Sequence, residues 1–477
     1  MAALVRSGEV SAADLVDDAV GRIERLNPVL NAVITPMFDR ARQQAEAPPP
    51  GPFSGVPFLV KDLGVFIPGV RCANGSRALM KFVPDFECDQ ARAIREAGFI
   101  VLGKTNTPEF GCSPITNPQA FGPTRNPWRL AVNSAGSSGG STAAVAARLV
   151  PMASSSDGGG SIRLPASTCG VFGFKPSRGL NPWDTDRFWA GAVVNHATTI
   201  SVRDSAAYLD WTAKRVAVLD PDHPPPGSYT AHARRPPGKL RIGLCVESAA
   251  GGRVDAECVE AAGQAAMLLE ELGHQVEVCA LPYDGRAMLR AFLTVVMAST
   301  ARQMNEISEK RRRPIQPELE PGTRMMAEMG EGVRADAYQA ALATWAETTA
   351  RMRAFHDNTD ILLTPVMAVR AFGHADFDLN WVERAMAALL TRTRLGRRCY
   401  GTGLLDQLIR KSSVPIPFTP LANITGLPAM SVPLHWGADG LPIGVQFSAG
   451  PGKDGLLFSL AGQLEAARPW AGRRPNL

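Results

Sequence analysis

Val56-Pro57-Phe58-Leu59-Val60 and Phe99-Ile100-Val101-Leu102 are two short, uninterrupted apolar runs. Runs of this length without alternating polar residues are typical of strands that are buried on both faces of a sheet. The stretch between them, from Glu87 to Ala97, is predicted to be a helix. Strand, helix and strand in this order predict an α/β fold whose strands are joined by crossover connections.

The same patterns continue along the rest of the chain. Further strands are predicted at Val171–Phe174, Arg241–Val246, Gln275–Cys279, Asp360–Thr364, Met430–Val432 and Ile443–Phe447. Helices are predicted over residues 11–27, 140–149, 256–272, 284–309, 335–356, 383–410 and 455–466. The Pro-rich segment 220–238 is predicted to be a long surface loop, with an interdomain linker as the alternative.

The overall composition is that of a globular protein, with 45% apolar residues, 20% charged residues and a net charge of +5. The densest basic run, Lys310-Arg311-Arg312-Arg313, is typical of a solvated helix end, so we expect no nucleic-acid partner. An apolar leader and an 18-residue apolar run are both absent, which predicts a cytoplasmic protein without a membrane span. The eight cysteines lack CxxC spacing, which indicates reduced thiols and no metal site.

The strongest chemical signal is a window rich in glycine and serine, residues 133–161, which contains 14 of these two residue types. Its two blocks flank a good helix former, which a flexible linker rarely does, so the glycines indicate backbone close to a ligand. Three glycines directly precede Ser161, so consecutive N–H groups can converge on one point. Such a pocket stabilises the oxyanion that forms when a serine attacks a carbonyl, and each donor contributes roughly 3 kcal/mol.

A serine nucleophile needs a base. None of the seven histidines lies in a recognisable triad motif. Lys61 directly follows the apolar run 56–60, and a lysine at the end of a buried strand loses solvation, which lowers its pKa and lets it act as a neutral base. Ser161 and Lys61 together therefore fit a Ser–Lys hydrolase.

Two other motifs match known patterns. Residues 98–105 match the P-loop GxxxxGK[ST], but their four middle residues favour a strand and Asn106-Thr107-Pro108 follows instead of a helix, so we reject a phosphate site. Residues 136–140 match the GxSxG nucleophile elbow, and a helix follows them. The segment before them is a poor strand and no HGGG-like segment lies upstream, so an α/β-hydrolase-type esterase using Ser138 remains only an alternative.

A set of motifs resembles the amidase signature family in order and spacing. The motifs are Lys61-Asp62, Gly103-Lys104-Thr105-Asn106, Arg125-Asn126-Pro127-Trp128, Gly136-Ser137-Ser138-Gly139-Gly140-Ser141, Asp157-Gly158-Gly159-Gly160-Ser161-Ile162-Arg163, Cys169-Gly170, Lys175-Pro176, Asn423-Ile424-Thr425-Gly426-Leu427-Pro428-Ala429 and Gly440-Leu441-Pro442-Ile443-Gly444. The resemblance covers about residues 5–180 and 355–470. It implies one domain over residues 1–477, built on a large twisted mixed β-sheet with helices on both faces. The family-matching core would span about 55–180 and 355–450, and a variable, substrate-shaping region about 200–350.

The resemblance also implies a Ser–Ser–Lys triad. Ser161 matches the nucleophile, Ser137 matches the bridging serine, which in the family follows a cis peptide bond, and Lys61 matches the base. The backbone N–H groups that would hold the oxyanion belong to Gly158, Gly159, Gly160 and Ser161. Three further residues are expected to support the site: Ser138 by holding Lys61 through a hydrogen bond, and Asp157 with Arg163 as a structural pair beneath the serine loop.

The sequence departs from the commonest family pattern at three places, and none of them removes a triad member. Leu63-Gly64 stands where Asn is usual, Gly158 where Thr is common, and Ala135 where Gly is frequent. With these changes the motifs look most like the branch that contains 6-aminohexanoate cyclic-dimer hydrolases and urethane- or aryl-amide-cleaving amidases.

The resemblance implies a serine hydrolase that cleaves a small-molecule amide, carbamate or cyclic oligo-amide without a cofactor or metal, as a monomer or homodimer. One alternative is a glutaminase-type A subunit of an amidotransferase, and another is an inactive scaffold. The substrate pocket is expected to come from residues 180–200, with Trp183, Phe188 and Trp189, or from 310–335. In the second segment the methionines at 325, 326 and 329 are more typical of core than of pocket.

Overall fold

The computed structural model describes residues 1–181, 188–215, 228–393 and 395–477. The strands within these ranges are β1 (Val33–Pro36), β2 (Pro57–Lys61), β3 (Ile100–Thr105), β4 (Arg125–Asn126), β5 (Arg129–Asn133), β6 (Met152–Asp157), β7 (Phe172–Lys175), β8 (Val194–Thr199), β9 (Arg241–Leu244), β10 (Gln275–Val278), β11 (Ile361–Pro365), β12 (Ala429–Trp436) and β13 (Pro442–Ala449). Strands β4 and β5 form a separate antiparallel pair, and the other eleven form one sheet.

The large sheet is mixed, and its strand order is β1-β3-β2-β6-β8-β7-β12-β13-β11-β9-β10. Strands β3, β2 and β6 are mutually parallel, as are β11, β9 and β10 at the other end. The central strands from β6 through β8, β7, β12 and β13 to β11 pair antiparallel. The predicted large mixed α/β sheet is therefore confirmed.

The α-helices of the described ranges surround this sheet. They are α1 (Ala2–Ser7), α2 (Ala12–Leu30), α3 (Phe38–Glu46), α4 (Asp89–Glu96), α5 (Gly139–Ala146), α6 (Arg163–Cys169), α7 (Val202–Ala213), α8 (Tyr229–Ala233), α9 (Ala256–Glu271), α10 (Gly285–Arg311), α11 (Pro321–Glu331), α12 (Ala335–Asn358), α13 (Trp381–Arg392), α14 (Gly403–Leu408), α15 (Pro420–Thr425) and α16 (Asp454–Ala467). Short 3₁₀ turns lie at Arg77–Leu79, Glu109–Gly111, Trp189–Gly191, Gln316–Glu318 and Leu395–Cys399, and a π turn at Ile409–Ser413.

Strand β2 shows why an unbroken apolar run was needed. Leu59 packs in a core with residues of α2 and α5, whereas Phe58 and Val60 pack in a second core with Phe99 and with Tyr208 of α7. All three β2 side chains are fully buried. Because successive side chains of a strand point to opposite faces, helices must cover both faces here, as predicted.

The sequence-based assignments needed several corrections. Strand β6 was missed because Ser154, Ser155 and Ser156 give it no apolar run. The single helix predicted over 383–410 is wrong: α13 ends at Arg392, and glycines at 396, 401 and 403 accompany shorter turns. Part of the Pro-rich segment, 220–227, lies outside the described residues, and α8 occupies part of the remainder.

The structure also bears on the P-loop motif and on membrane spans. The rejected P-loop segment is strand β3, with Gly103 and Lys104 inside it, so the rejection is confirmed. No helix in the described part of the chain is long and apolar enough to cross a membrane.

Candidate active site

Neighbouring parts of the sheet bring a lysine and several serines together. Lys61 is the last residue of β2, and the adjacent parallel strand β6 carries Ser154 and Ser156. Ser154 Oγ accepts a hydrogen bond from the Lys61 backbone N–H at 2.8 Å, which fixes the end of β2. Ser137 and Ser138 lie in the turn before α5, and their hydroxyls contact Nζ of the same lysine.

The Lys61 ammonium or amine group has three hydroxyl neighbours. Nζ lies 2.7 Å from Ser137 Oγ, 2.9 Å from Ser138 Oγ and 2.9 Å from Ser156 Oγ. The Ser138 hydroxyl already donates to the Ser156 carbonyl at 3.1 Å, so towards Lys61 it acts as an acceptor. The peptide bond Gly136–Ser137 is cis, as the family resemblance implies.

Burial sets the acid–base behaviour of this lysine. Lys61 is 1% exposed and no carboxylate lies within ion-pair distance of Nζ among the described residues. Desolvation therefore lowers the pKa of Lys61 to about 7, against the opposing charge of Asp157. Burial also lowers the pKa of Lys175 to about 7, but Lys175 Nζ donates to the Pro176 carbonyl and forms no hydrogen bond with a serine of the described ranges. Geometry, not pKa, distinguishes the two lysines.

The loop with Ser161 passes close to the lysine cluster. The Ser138 N–H donates to the Ser161 carbonyl at 3.3 Å, which ties the two serine loops together. Ser161 is partly exposed, whereas Ser138 is fully buried. Within the described residues, no hydrogen bond joins the Ser161 hydroxyl to the Ser137 hydroxyl.

The glycines before Ser161 are required by close packing. A Cβ on Gly158 would lie 2.8 Å from the Trp189 ring, and a Cβ on Gly159 would lie 2.8 Å from Phe292. Gly160 has a φ of +126° and faces Thr419, so it needs both the freedom and the small size of glycine. Close packing on each of the three positions therefore explains why glycine stands at all of them.

Arg163 holds the loop that contains Ser161 in place through hydrogen bonds. Its side chain is fully buried, and all five of its N–H donors are used. Two of them bind the two oxygens of Asp157, each at 2.9 Å. The other three bind the Thr419 carbonyl, Gln446 Oε1 and Asn423 Oδ1, at 2.7 to 2.9 Å. Arg163 thereby joins the serine loop to the C-terminal part of the chain.

Asp157 orients the backbone of the loop. Burial alone would raise its pKa, but the Arg163 guanidinium and the Asn423 amide hold the pKa of Asp157 well below its usual range. The ionised carboxylate accepts from the backbone N–H of Gly160 at 2.7 Å and of Ile162 at 3.1 Å. The Gly160 N–H, which is expected among the oxyanion donors, donates to Asp157 in this structure.

Sequence reasoning missed several residues of this site. Ser154 and Ser156 alternate along one face of β6, a period-two signal that was available once β6 was recognised as a strand. Thr419, Asn423 and Gln446 contact Arg163 from 256 to 283 residues away in sequence, and no local pattern reports such a pairing.

A cavity of about 520 Å³ adjoins these loops. Its apolar wall comes from Ile115, Leu293, Met297, Met326, Phe377 and Leu379. Ile115 also lies against Gly136, and Leu293 follows Phe292, which contacts Gly159. The cavity therefore lies beside the two serine loops, although Ser137 and Ser161 themselves are not among its lining residues.

The residues expected to shape the pocket lie in different surroundings. Met326 lines the cavity, whereas Met329 is buried in the core formed by α10 and its neighbours. Trp189 packs against the serine loop, and Phe188 is 45% exposed. Trp183 lies outside the described residues.

The sequence pattern of the family described as Amidase matches residues 14–396 and 404–458. The chain therefore belongs to the amidase signature family, and it is a hydrolase that acts on amide bonds.

Relatives match the chain from end to end. A 6-aminohexanoate-cyclic-dimer hydrolase of Pseudomonas sp. (strain NK87) is 36% identical over 496 aligned residues, which cover 100% of this chain and 95% of that protein. The structure of a 6-aminohexanoate cyclic dimer hydrolase complexed with substrate has a TM-score of 0.85 at 33% identity, covering 100% of this chain and 97% of that one. A bacterial aryl acylamidase has a TM-score of 0.85 at 26% identity, with coverages of 98% and 97%. The resemblance to this branch of the family is confirmed.

Proposed function

We propose that this amidase cleaves small amides, carbamates or cyclic oligo-amides through an acyl-enzyme on Ser161, activated by Ser137 and Lys61. The observation that carries the proposal is the 2.7 Å contact between Lys61 Nζ and Ser137 Oγ, in a site where Lys61 has a pKa of about 7. The names of its relatives, cyclic-dimer hydrolase and aryl acylamidase, support the substrate class.

The active form requires neutral Lys61. A neutral amine has two N–H donors and one lone pair, and Nζ has three hydroxyl neighbours. Ser138 can only accept from Nζ, because its own proton is donated to the Ser156 carbonyl. If the second N–H is donated to Ser156, the lone pair is left to accept a proton from Ser137.

The first chemical step forms the bond between Ser161 and the substrate. As Ser161 Oγ attacks the carbonyl carbon, its proton passes to Ser137 and the Ser137 proton passes to Lys61. The negative charge moves to the carbonyl oxygen. Gly158, Gly159 and Ser161 retain the proposed role of backbone donors to that oxyanion, because the Gly160 N–H donates to Asp157.

The second step breaks the carbon–nitrogen bond. Protonated Lys61 returns its proton to Ser137, and Ser137 gives one to the leaving nitrogen, so the product leaves as a neutral amine. Water then attacks the acyl-enzyme through the same relay and releases the acid and free Ser161. A buried lysine with a pKa near neutrality suits both directions of transfer.

A fluorophosphonate probe tests the nucleophile. It should label the wild-type protein once, and Ser161→Ala should abolish both labelling and amide hydrolysis. Ser155→Ala is the matched control, because Ser155 lies on β6 but its hydroxyl contacts Thr198 instead of Lys61. Unchanged amide hydrolysis in Ser161→Ala would sink the proposal.

The esterase alternative with Ser138 as nucleophile is disfavoured by the structure. Ser138 is fully buried, its proton is donated to the Ser156 carbonyl, and its oxygen faces Lys61 and the Ser156 N–H. A rate panel of aliphatic amides, anilides, carbamates, esters and glutamine distinguishes the remaining substrate classes. Glutamine as the best substrate, with a stable partner on copurification, would favour the amidotransferase-subunit alternative.

A further inference from the structure

The glycines before Ser161 give the serine loop no backbone stiffness of its own. Gly158, Gly159 and Gly160 carry no side chains, so their backbone rotates more freely than that of other residues. An oxyanion is stabilised most by donors that are already fixed before the reaction. The contacts that hold this loop from outside therefore bear on the rate of the proposed reaction.

The N–H groups of the loop fall into two sets. Gly160 donates to Asp157 Oδ1 at 2.7 Å. Among the described residues, no acceptor receives a hydrogen bond from the N–H groups of Gly158, Gly159 or Ser161. Backbone donors inside proteins are nearly always paired, so three unpaired ones in a single loop are available to an oxygen atom of a ligand.

One peptide unit lies between these donors and is held at both ends. The Gly159 carbonyl and the Gly160 N–H belong to the same planar peptide unit. Its N–H donates to Asp157, and its carbonyl accepts a hydrogen bond from Thr419 Oγ1 at 2.7 Å. Because the unit is planar, these two hydrogen bonds fix its orientation. They thereby set the direction of the chain on both sides, with the Gly159 N–H before the unit and the Ser161 N–H after it.

The surroundings of Thr419 suit it to this contact. Thr419 directly precedes α15, where a threonine side chain usually accepts a hydrogen bond from its own helix, but here it makes no such capping bond. The side chain is fully buried, so water cannot replace a lost hydrogen bond to Gly159. The Thr419 carbonyl accepts from Arg163 at 2.9 Å, which holds the threonine itself in place.

We propose that Thr419 is a positioning residue of this amidase. By holding the Gly159 carbonyl, its hydroxyl keeps the N–H groups of Gly159 and Ser161 directed at the oxyanion of the tetrahedral intermediate. The inference rests on the proposed function, because it treats Ser161 as the nucleophile and these N–H groups as oxyanion donors. Thr419 acts through the loop and not on the substrate.

Thr419→Val tests the hydroxyl, because valine has nearly the same shape and no donor. Removing an oxyanion donor costs about a hundredfold to a thousandfold in kcat, and this variant misaligns donors without removing them, so kcat should fall by about tenfold to a hundredfold. KM should not change, because the donors act on charge that develops only in the transition state. The substrate is the amide of the rate panel that the wild type cleaves fastest. The pH profile should keep its wild-type position, because the hydroxyls that contact Lys61 are unaltered.

Two further variants separate positioning from packing. Thr419→Ser keeps the hydroxyl and should have a kcat close to that of the wild type. Thr425→Val removes another buried hydroxyl of α15, which donates to the Leu421 carbonyl at 2.7 Å instead of to the serine loop, and should leave kcat unchanged. Rates are measured at a temperature where each variant is folded, as judged by circular dichroism. Should Thr419→Val not fold, Thr419→Ala is measured in its place.

A pair of inhibitors reports on the oxyanion itself. Ser161 Oγ should add to the carbonyl carbon of hexyl trifluoromethyl ketone, with its proton passing through Ser137 to Lys61 and the carbonyl electron pair becoming an oxyanion. Hexyl trifluoromethyl carbinol, the corresponding alcohol, is similar in shape and cannot be attacked. Thr419→Val should weaken inhibition by the ketone by the same factor by which it lowers kcat/KM, and inhibition by the carbinol should not change.

An unchanged kcat in folded Thr419→Val or Thr419→Ala, or a loss of kcat in folded Thr419→Ser, would overturn the role of Thr419. Equal weakening of ketone and carbinol inhibition, or a shifted pH profile, would also overturn it, because general distortion of the site produces either result. Failure of the proposed function is a separate result. In that case Ser161→Ala would hydrolyse the amide and bind the ketone as the wild type does, whatever the Thr419 variants show.

Discussion

Replacing Arg163 by lysine tests how the serine loop is held. The guanidinium fills five acceptor contacts in a site with no solvent exposure, whereas a lysine ammonium has three donors. At least two contacts are therefore lost. A hydrogen bond that involves a charged group contributes about 1.5–3 kcal/mol, so Arg163→Lys should lower the free energy of unfolding by about 3–6 kcal/mol. Whole proteins are stable by only about 5–15 kcal/mol.

The variant should also lose activity beyond its loss of stability. Asp157, freed on one side, would no longer fix the Gly160 and Ile162 N–H groups, and a displacement of about 1 Å near reacting atoms costs on the order of a hundredfold in rate. The assays are the urea midpoint and kcat at a temperature where the variant is folded. Arg241→Lys is the control, because its ion pair with Asp360 is exposed and contributes at most about 1 kcal/mol. An Arg163→Lys protein within about 1 kcal/mol of wild type, with unchanged kcat, would refute this account.

Three further predictions concern the lysine and the glycine loop. Neutral Lys61 is the proposed base and its pKa is about 7, so kcat/KM should rise with pH up to about 7 and level off above it. Lys61→Met should abolish this rising part of the pH–rate profile. A wild-type rate that is independent of pH from 6 to 10 would count against Lys61 as the base. Ser156→Ala removes an acceptor that stabilises the ammonium form of Lys61 more than the amine, so the pKa of Lys61 should fall and the rising part of the pH–rate profile should move to lower pH. A shift to higher pH would contradict the role of Ser156 as an acceptor for Lys61. Gly159→Ala places a Cβ 2.8 Å from the Phe292 ring and should reduce kcat at least tenfold, with recovery in the double variant with Phe292→Leu if steric overlap is the cause.

Much of the sheet could be predicted from local sequence. Uninterrupted apolar runs identify β2 and β3 because strands buried on both faces tolerate few polar side chains. Strand β6 follows no such rule. Its serines are buried because they bind Lys61 and the neighbouring chain segments through hydrogen bonds, which a pattern of apolarity cannot reveal.

The sequence by itself determined the residue types of the site: a lysine at the end of an apolar run, two serine-rich loops and three glycines before Ser161. These signals are local, because burial of a strand and backbone freedom at glycine are properties of neighbouring residues. Only the tertiary structure decided which groups meet. Lys61 reaches Ser137 across 76 positions, and Arg163 reaches Gln446 across 283.

The same distinction applies to the cavity beside the serine loops. Its wall is assembled from the segment around Glu109, from α10 and from the start of α11, and the pairing of Glu109 with Glu320 spans 211 positions. Such contacts depend on strand order and helix packing, which many sequences satisfy in different ways. The family and its amide-cleaving class could therefore be predicted from the motifs, whereas the set of residues that line this cavity is assembled only in the folded chain.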